Sequence, residues 1–145
     1  DVSAIIATAQ EETGIDIYMG IGGAPEGVLG AAALRCLGGK MQGRLIFRND
    51  DEKIRAEKCG ISDLNRVYHL DDLASGNVLF ACTGVTDGQM LKGVKRKGKF
   101  AQTHSLVMRS ISGTVRHIRA HHNFNFKKGF EARNTFTESN FEGNL

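Results

Sequence analysis

Residues 20–27 read GIGGAPEG. They stand between the apolar run IDIYM (15–19) and the helix-like VLGAAALRCL (28–37). A strand, a glycine-rich turn and a helix in that order can bring backbone amides close to an anion. The dinucleotide version of the turn needs GxGxxG, but from Gly20 the chain gives G-I-G-G-A-P, with Pro25 at the third glycine position. No Walker A lysine follows. Glu26 is the telling residue. A carboxylate at a helix N-terminus repels a phosphate unless a cation lies between them. Two readings of Glu26 remain open: a first-turn acid that complements the helix dipole, or a hard oxygen ligand for Mg2+ or Mn2+. A single carboxylate does not complete a metal site.

Other reactive residue types form no pattern of comparable weight. His117 and His121 stand four apart in HIRAHH, a zinc spacing on a helix, but the stretch reads as a strand, where residues four apart are far from each other. GxSxG is absent, and no Ser-His-Asp order is present. Cys36, Cys59 and Cys82 are odd in number and widely spaced, which argues against a disulfide framework and a CxxC zinc site. All three are expected to be buried, reduced thiols.

Between Gly88 and Phe130 there is no Asp or Glu, while Lys92, Lys95, Arg96, Lys97, Lys99, Arg109, Arg116, Arg119, Lys127 and Lys128 all fall there. A solvated basic face, a track for nucleic-acid phosphates, and service to a small phosphorylated ligand are the three readings. Aromatic residues are not interleaved with these cations as a stacking platform requires.

The elements that must position these residues follow from periodicity. Val2, Ile5, Ile6 and Ala9 predict an amphipathic helix over 2–12, capped by Asp1 and ended near Gly14. IDIYMG (15–20) predicts a strand, and Pro25 opens a helix to Leu37 that Gly38 and Gly39 stop. Strands are predicted at 41–47 and 66–70, a charged helix at 50–60 and a helical turn at DDLA (71–74). NVLFACTGV (77–85) reads as a central strand covered on both faces. Residues 87–99 read as irregular, and FAQTHSLVMRS and GTVRHIRAHH as two antiparallel strands joined through SISG. The Asn- and Phe-rich stretch from 123 onward changes character and reads as a loosely ordered extension. The whole is an α/β pattern with a mixed sheet, about one domain in length. It has no apolar run long enough for a membrane span and no signal-peptide pattern.

Four blocks, DVSAIIAT, YMGIGGAPEGVLGAAALRCLGGKMQGRL, ACTGVTDGQMLKGV and LVMRSISGTVRHIRAHH, occur in this order from Asp1 to His122. Together they resemble the C-terminal part of the class II fructose-1,6-bisphosphatases, metal-dependent bacterial-type sugar phosphatases related to the lithium-sensitive phosphatase superfamily. The resemblance implies the C-terminal α/β half of a layered α/β/α/β/α fold for residues 1–122, with a mixed sheet flanked by helices, and residues 123–145 as a separate polar tail. It implies that Glu26 is a metal ligand for Mn2+ or Mg2+ and that Gly23 binds substrate. Asp1 would match the last residue of an Asp-Gly-Asp substrate-contact motif. The family's catalytic threonine, its other carboxylate ligands and its arginine-containing phosphate segment belong to an N-terminal half not represented in this sequence. No catalytic residue is therefore expected in this chain, and the 145 residues alone are expected to be inactive. The abrupt helical start at Asp1 agrees with a cut through a larger fold.

The implied reaction is hydrolysis of the 1-phosphate of fructose 1,6-bisphosphate, in gluconeogenesis or glycerol metabolism. The setting would be the cytoplasm, by a homo-oligomer of the complete protein, without nucleic-acid or membrane partners. A phosphatase for sedoheptulose bisphosphate or inositol phosphates, and a non-catalytic basic binding module, are the alternatives.

Overall fold

The structure is a computed structural model and describes residues 2–127. Asp1, Lys128 and the sequence beyond lie outside the described residues, so the Asp1 assignment and most of the tail do as well. The chain divides into two compact units, one comprising residues up to Cys82 together with Leu106–Arg116, the other Thr83–Ser105 together with the chain from His117 on.

The first unit opens with helix α1 (Val2–Ala7), shorter than the helix predicted to residue 12. Hydroxyls compete for its last carbonyls. Thr8 Oγ1 donates to the Ile5 carbonyl at 2.7 Å, and Thr13 Oγ1 to those of Ala7 and Gln10 at 2.6 and 2.8 Å. A 3-10 turn at Glu11–Thr13 follows, closed by Gly14 in the left-handed region. Residues 15–20 form no strand. Ile17, Met19 and Ile21 are exposed, and among the described residues no neighbouring ladder pairs with them. Apolar alternation favours a strand, but the backbone hydrogen bonds of a strand must come from a partner.

Helix α2 (Ala24–Leu37) matches its prediction, with Pro25 in the first turn and Gly38 at φ 76° donating to the Leu34 carbonyl at its end. Gly30, Ala31 and Ala33 form its buried stripe, and α1 packs against it. A methyl at Gly30 would stand 2.7 Å from Ile5 Cδ1, so the close approach depends on the missing side chain. Leu34 and Ile6 are almost wholly buried, each contributing about 1.5–3 kcal/mol of transfer free energy.

The strands predicted at 41–47 and 66–70 shrink to β1 (Gln42–Gly43) and β2 (Tyr68–His69), antiparallel with Gln42 opposite His69. Helix α3 (Asp50–Lys58) is capped by Asn49, whose Oδ1 accepts from the Glu52 amide at 3.0 Å. Helix α4 (Leu70–Leu73) realises the predicted DDLA turn. Cys59 ends α3 and is exposed, against the expectation of burial, because that helix is a charged surface element. Cys36 is buried and Cys82 half-buried.

The larger sheet holds β3 (Leu79–Thr83), β4 (Lys95–Lys97), β5 (Phe100–Arg109) and β6 (Thr114–Asn123), with β5 pairing the other three. β3 is not doubly covered as expected: Phe80 is buried while Leu79 is 67% exposed, so one face is packed and the other open. β5 and β6 form the predicted hairpin. β4 lies within the stretch read as irregular, joined to β5 through Gly98 (φ 57°) and Lys99. β4 and β5 run antiparallel, and the Gly84–His104 and Ser110–Val78 backbone bonds set β3 antiparallel to β5. A hairpin of four turn residues makes β6 antiparallel as well. The α/β arrangement with helices beside sheet is as predicted, and the parallel component of a mixed sheet is not seen among the described strands.

Candidate functional site

The turn at 20–23 delivers the chain into α2. Gly23 is the N-cap, in extended backbone at φ −69° and ψ 155°, and no side chain caps the helix. The Gly23 carbonyl accepts the Gly27 amide at 3.1 Å. Uncapped first-turn amides and the helix dipole make this end favourable to negative charge. Glu26, in the same first turn, is exposed. Its carboxylate folds back across Gly23, so that any side chain at position 23 would collide with Oε2. The two residues selected by sequence, Gly23 and Glu26, are therefore mutually placed: the bare Cα of one is the floor under the carboxylate of the other.

Tyr18 was passed over in the sequence reading, which treated it as a strand residue. Its hydroxyl lies over Gly20, where a methyl would stand 2.6 Å from the oxygen. The signal was available: a polar-tipped aromatic two residues before a glycine in a glycine-rich turn.

Glu26 offers the hard oxygen donor that Mg2+ or Mn2+ prefers. Among the described residues, however, no group of three or more His, Cys, Asp or Glu side chains comes together to hold a metal ion. The turn thus supplies one donor of the right kind and not a coordination shell. His117 and His121 lie on β6, as the strand reading required, which removes the helical zinc spacing. At the far end of α2, burial raises the Cys36 thiol pKa, an effect partly offset by a backbone hydrogen bond and by Arg35. That keeps it protonated and unreactive. Burial likewise raises the Cys82 thiol.

The family described as "Bacterial fructose-1,6-bisphosphatase, glpX-encoded" matches residues 1–122. The chain belongs to this family. A D-fructose 1,6-bisphosphatase class 2/sedoheptulose 1,7-bisphosphatase from Synechococcus sp. (strain JA-2-3B'a(2-13)) is 44% identical, covering 84% of this chain and 39% of the relative. The protein of the same name from Synechococcus sp. (strain JA-3-3Ab) has the same identity and coverage. Fructose-1,6-bisphosphatase 1 class 2 of Escherichia coli (strain K12) is 41% identical, covering 84% of this chain and 40% of the relative. The chain thus spans about two-fifths of the length of these relatives. The family match takes in the whole Gly20–Glu26 turn and α2. Among the described residues no helix is long and apolar enough to cross a membrane.

Proposed function

We propose that this chain supplies one part of a class II fructose-1,6-bisphosphatase, which hydrolyses the 1-phosphate of fructose 1,6-bisphosphate to fructose 6-phosphate. The observation that carries the reading is the glycine turn opening α2 inside the family match, with the Glu26 carboxylate laid over Gly23. Family membership implies a divalent cation, Mn2+ or Mg2+ in this reading. Glu26 would be one of its ligands, and residues outside this sequence would supply the others. When bound, such a cation neutralises phosphoryl oxygens and favours an oxygen nucleophile for in-line attack. Gly23 lets the sugar phosphate approach the backbone, the first-turn amides of α2 face the developing negative charge, and Asp1 hydrogen-bonds a sugar hydroxyl or a phosphate-side group. Residues 1–122 carry the phosphatase part and 123–145 a separate tail. The enzyme works in the cytoplasm, in gluconeogenesis or glycerol metabolism, as a homo-oligomer with neither nucleic acid nor membrane as partner.

A hybrid tests this. Residues 1–122 replace the matching segment of the Escherichia coli relative, and phosphate release from fructose 1,6-bisphosphate is measured with Mn2+ or Mg2+. The hybrid turns over, Glu26→Gln loses about 100-fold or more in rate, and Gly23→Ala loses about tenfold because its methyl displaces the carboxylate. Circular dichroism confirms that each variant folds. Normal turnover by Glu26→Gln sinks the ligand role. The 145-residue chain by itself releases no phosphate. A second reading rests on the Synechococcus relatives, whose names include sedoheptulose 1,7-bisphosphatase. Parallel kinetics of the hybrid on both bisphosphates separates the two substrates.

A further inference from the structure

The cations of the second unit are organised around a cavity. Lys95 and Lys97 are alternate residues of β4 and share one face of the strand. Together with Phe100, Gln102, His121 and His122 they line a depression of about 360 Å³, within the size range of small-molecule sites. The register places Lys95 opposite Gln102 and Lys97 opposite Phe100, so both strands of the β4–β5 hairpin contribute pairs of lining residues.

Among the described residues no carboxylate neutralises these ammonium groups. The sequence from Gly88 to Lys127 contains none, and the ion pairs among the described residues all fall between Arg35 and Asp72. Lys127 is held instead by an imidazole, with Nζ 3.0 Å from His122 Nδ1. An ammonium group can only donate, so Nδ1 is the acceptor and Nε2 carries the proton, directed at Thr103 Oγ1 3.0 Å away. The bond holds the His122 ring and leaves the Lys127 charge in place.

We propose that this cavity is an anion site for the phosphate monoester of a small, partly apolar molecule. It uses no residue of the Gly20–Glu26 turn and stands independently of the function proposed above. A phosphate dianion would meet Lys95 and Lys97 through charge-assisted hydrogen bonds. Phe100, 57% exposed, offers the apolar surface for the rest of the ester. Single-stranded nucleic acid fits less well, because it calls for successive free rings along a track. The neighbouring Phe124 ring already carries Arg96 and Lys127, each 5.4 Å from its centroid.

The test is an NMR titration of the isotopically labelled 145-residue chain with phenyl phosphate and, separately, with inorganic phosphate. Saturable shifts are expected at Lys95, Lys97, His121 and His122, with phenyl phosphate binding more tightly than inorganic phosphate. Lys95→Ala/Lys97→Ala weakens phenyl phosphate about tenfold or more, Phe100→Ser removes its advantage over inorganic phosphate, and Glu26→Gln changes neither. Absence of saturation, unchanged affinity in the double lysine variant, or equal affinity for the two phosphates overturns the proposal. So does a single-stranded oligonucleotide that binds this face more tightly than phenyl phosphate at physiological salt.

Discussion

The first unit buries Ile6, Leu34, Phe80, Leu106 and Met108, besides several small residues, whereas the second, among the described residues, buries Leu91 and Ala101. The second unit is held by another means. Gly84 donates to the His104 carbonyl and Val94 to that of Val85. The Asp87 carboxylate accepts the Gly93 amide at 2.8 Å, and His104 Nδ1 accepts the Lys92 amide at 3.1 Å. The charges differ too. Arg35–Asp71, Arg48–Glu52, Lys53–Asp50 and Arg66–Asp72 pair the surface of the first unit, while the lysines of β4 meet no acid among the described residues. Packing therefore fixes one unit and backbone hydrogen bonding the other. The glycine turn, which needs a rigid platform, leads into the helix whose inner face is best packed.

This contrast has a direct energetic form. Leu34→Ala removes a side chain that is 2% exposed on α2, the helix against which α1 packs. The expected loss is about 2–5 kcal/mol. Leu91→Ala lies at the bottom of that range, since Leu91 belongs to a loop whose backbone bonds survive the truncation. Urea unfolding of the two variants decides it, and equal losses break the contrast.

What sequence could and could not reveal follows the same division. α2 was legible because all of its determinants are local: proline at the start, small residues on one stripe, glycine at the end. The β5–β6 hairpin was legible because alternation and a four-residue turn sit next to each other. The run at 15–20 misled. Its apolar alternation is a property of the residues, while a strand is a property of a pair. Cys59 misled because burial preference is an average and its own helix is charged. Glu26 stood out by type and position, and Gly23 followed from the family resemblance. The carboxylate over the glycine could not be foreseen, because it depends on a side-chain rotamer. The cavity lined by β4, β5 and β6 was out of reach for another reason: it gathers Lys95 and His121 into one lining across β5, and no local pattern predicts that register.

The exposed run gives the next test. Ile17→Ser is expected to change the stability of the 145-residue chain by no more than about 0.5 kcal/mol, because Ile17 is 73% exposed. In the hybrid with the Escherichia coli relative, the same substitution is expected to cost about 1.5–3 kcal/mol, the range for a side chain that becomes buried. Thermal melts of both proteins supply the comparison. Equal small effects show that the run stays uncovered in the longer polypeptide.

The smallest effect is in acid, and its sign follows from the pairings. The Asp72 carboxyl is held below its ordinary range first by the His69 amide, which donates to it at 2.9 Å, and then by Arg66. The Arg48 amide lowers Glu52, and the Lys53 hydrogen bond lowers Asp50. A carboxyl that is more acidic folded than unfolded stabilises the fold in full above its unfolded pKa. That contribution is lost as pH falls through the lower, folded value. Asp50 and Asp72 are exposed and Glu52 is half-buried at the surface, so each contribution is small. From Gly88 to Lys127 there is no carboxyl to titrate, so no residue of β4, β5 or β6 carries such a loss. On acidification through the carboxylate range, the amide resonances of α3 and α4 are expected to move while those of β5 and β6 hold. Arg66→Gln relieves only part of the Asp72 depression, because the His69 amide is the larger cause. Concerted movement of helices and hairpin shows instead that paired charge does not distinguish the two regions.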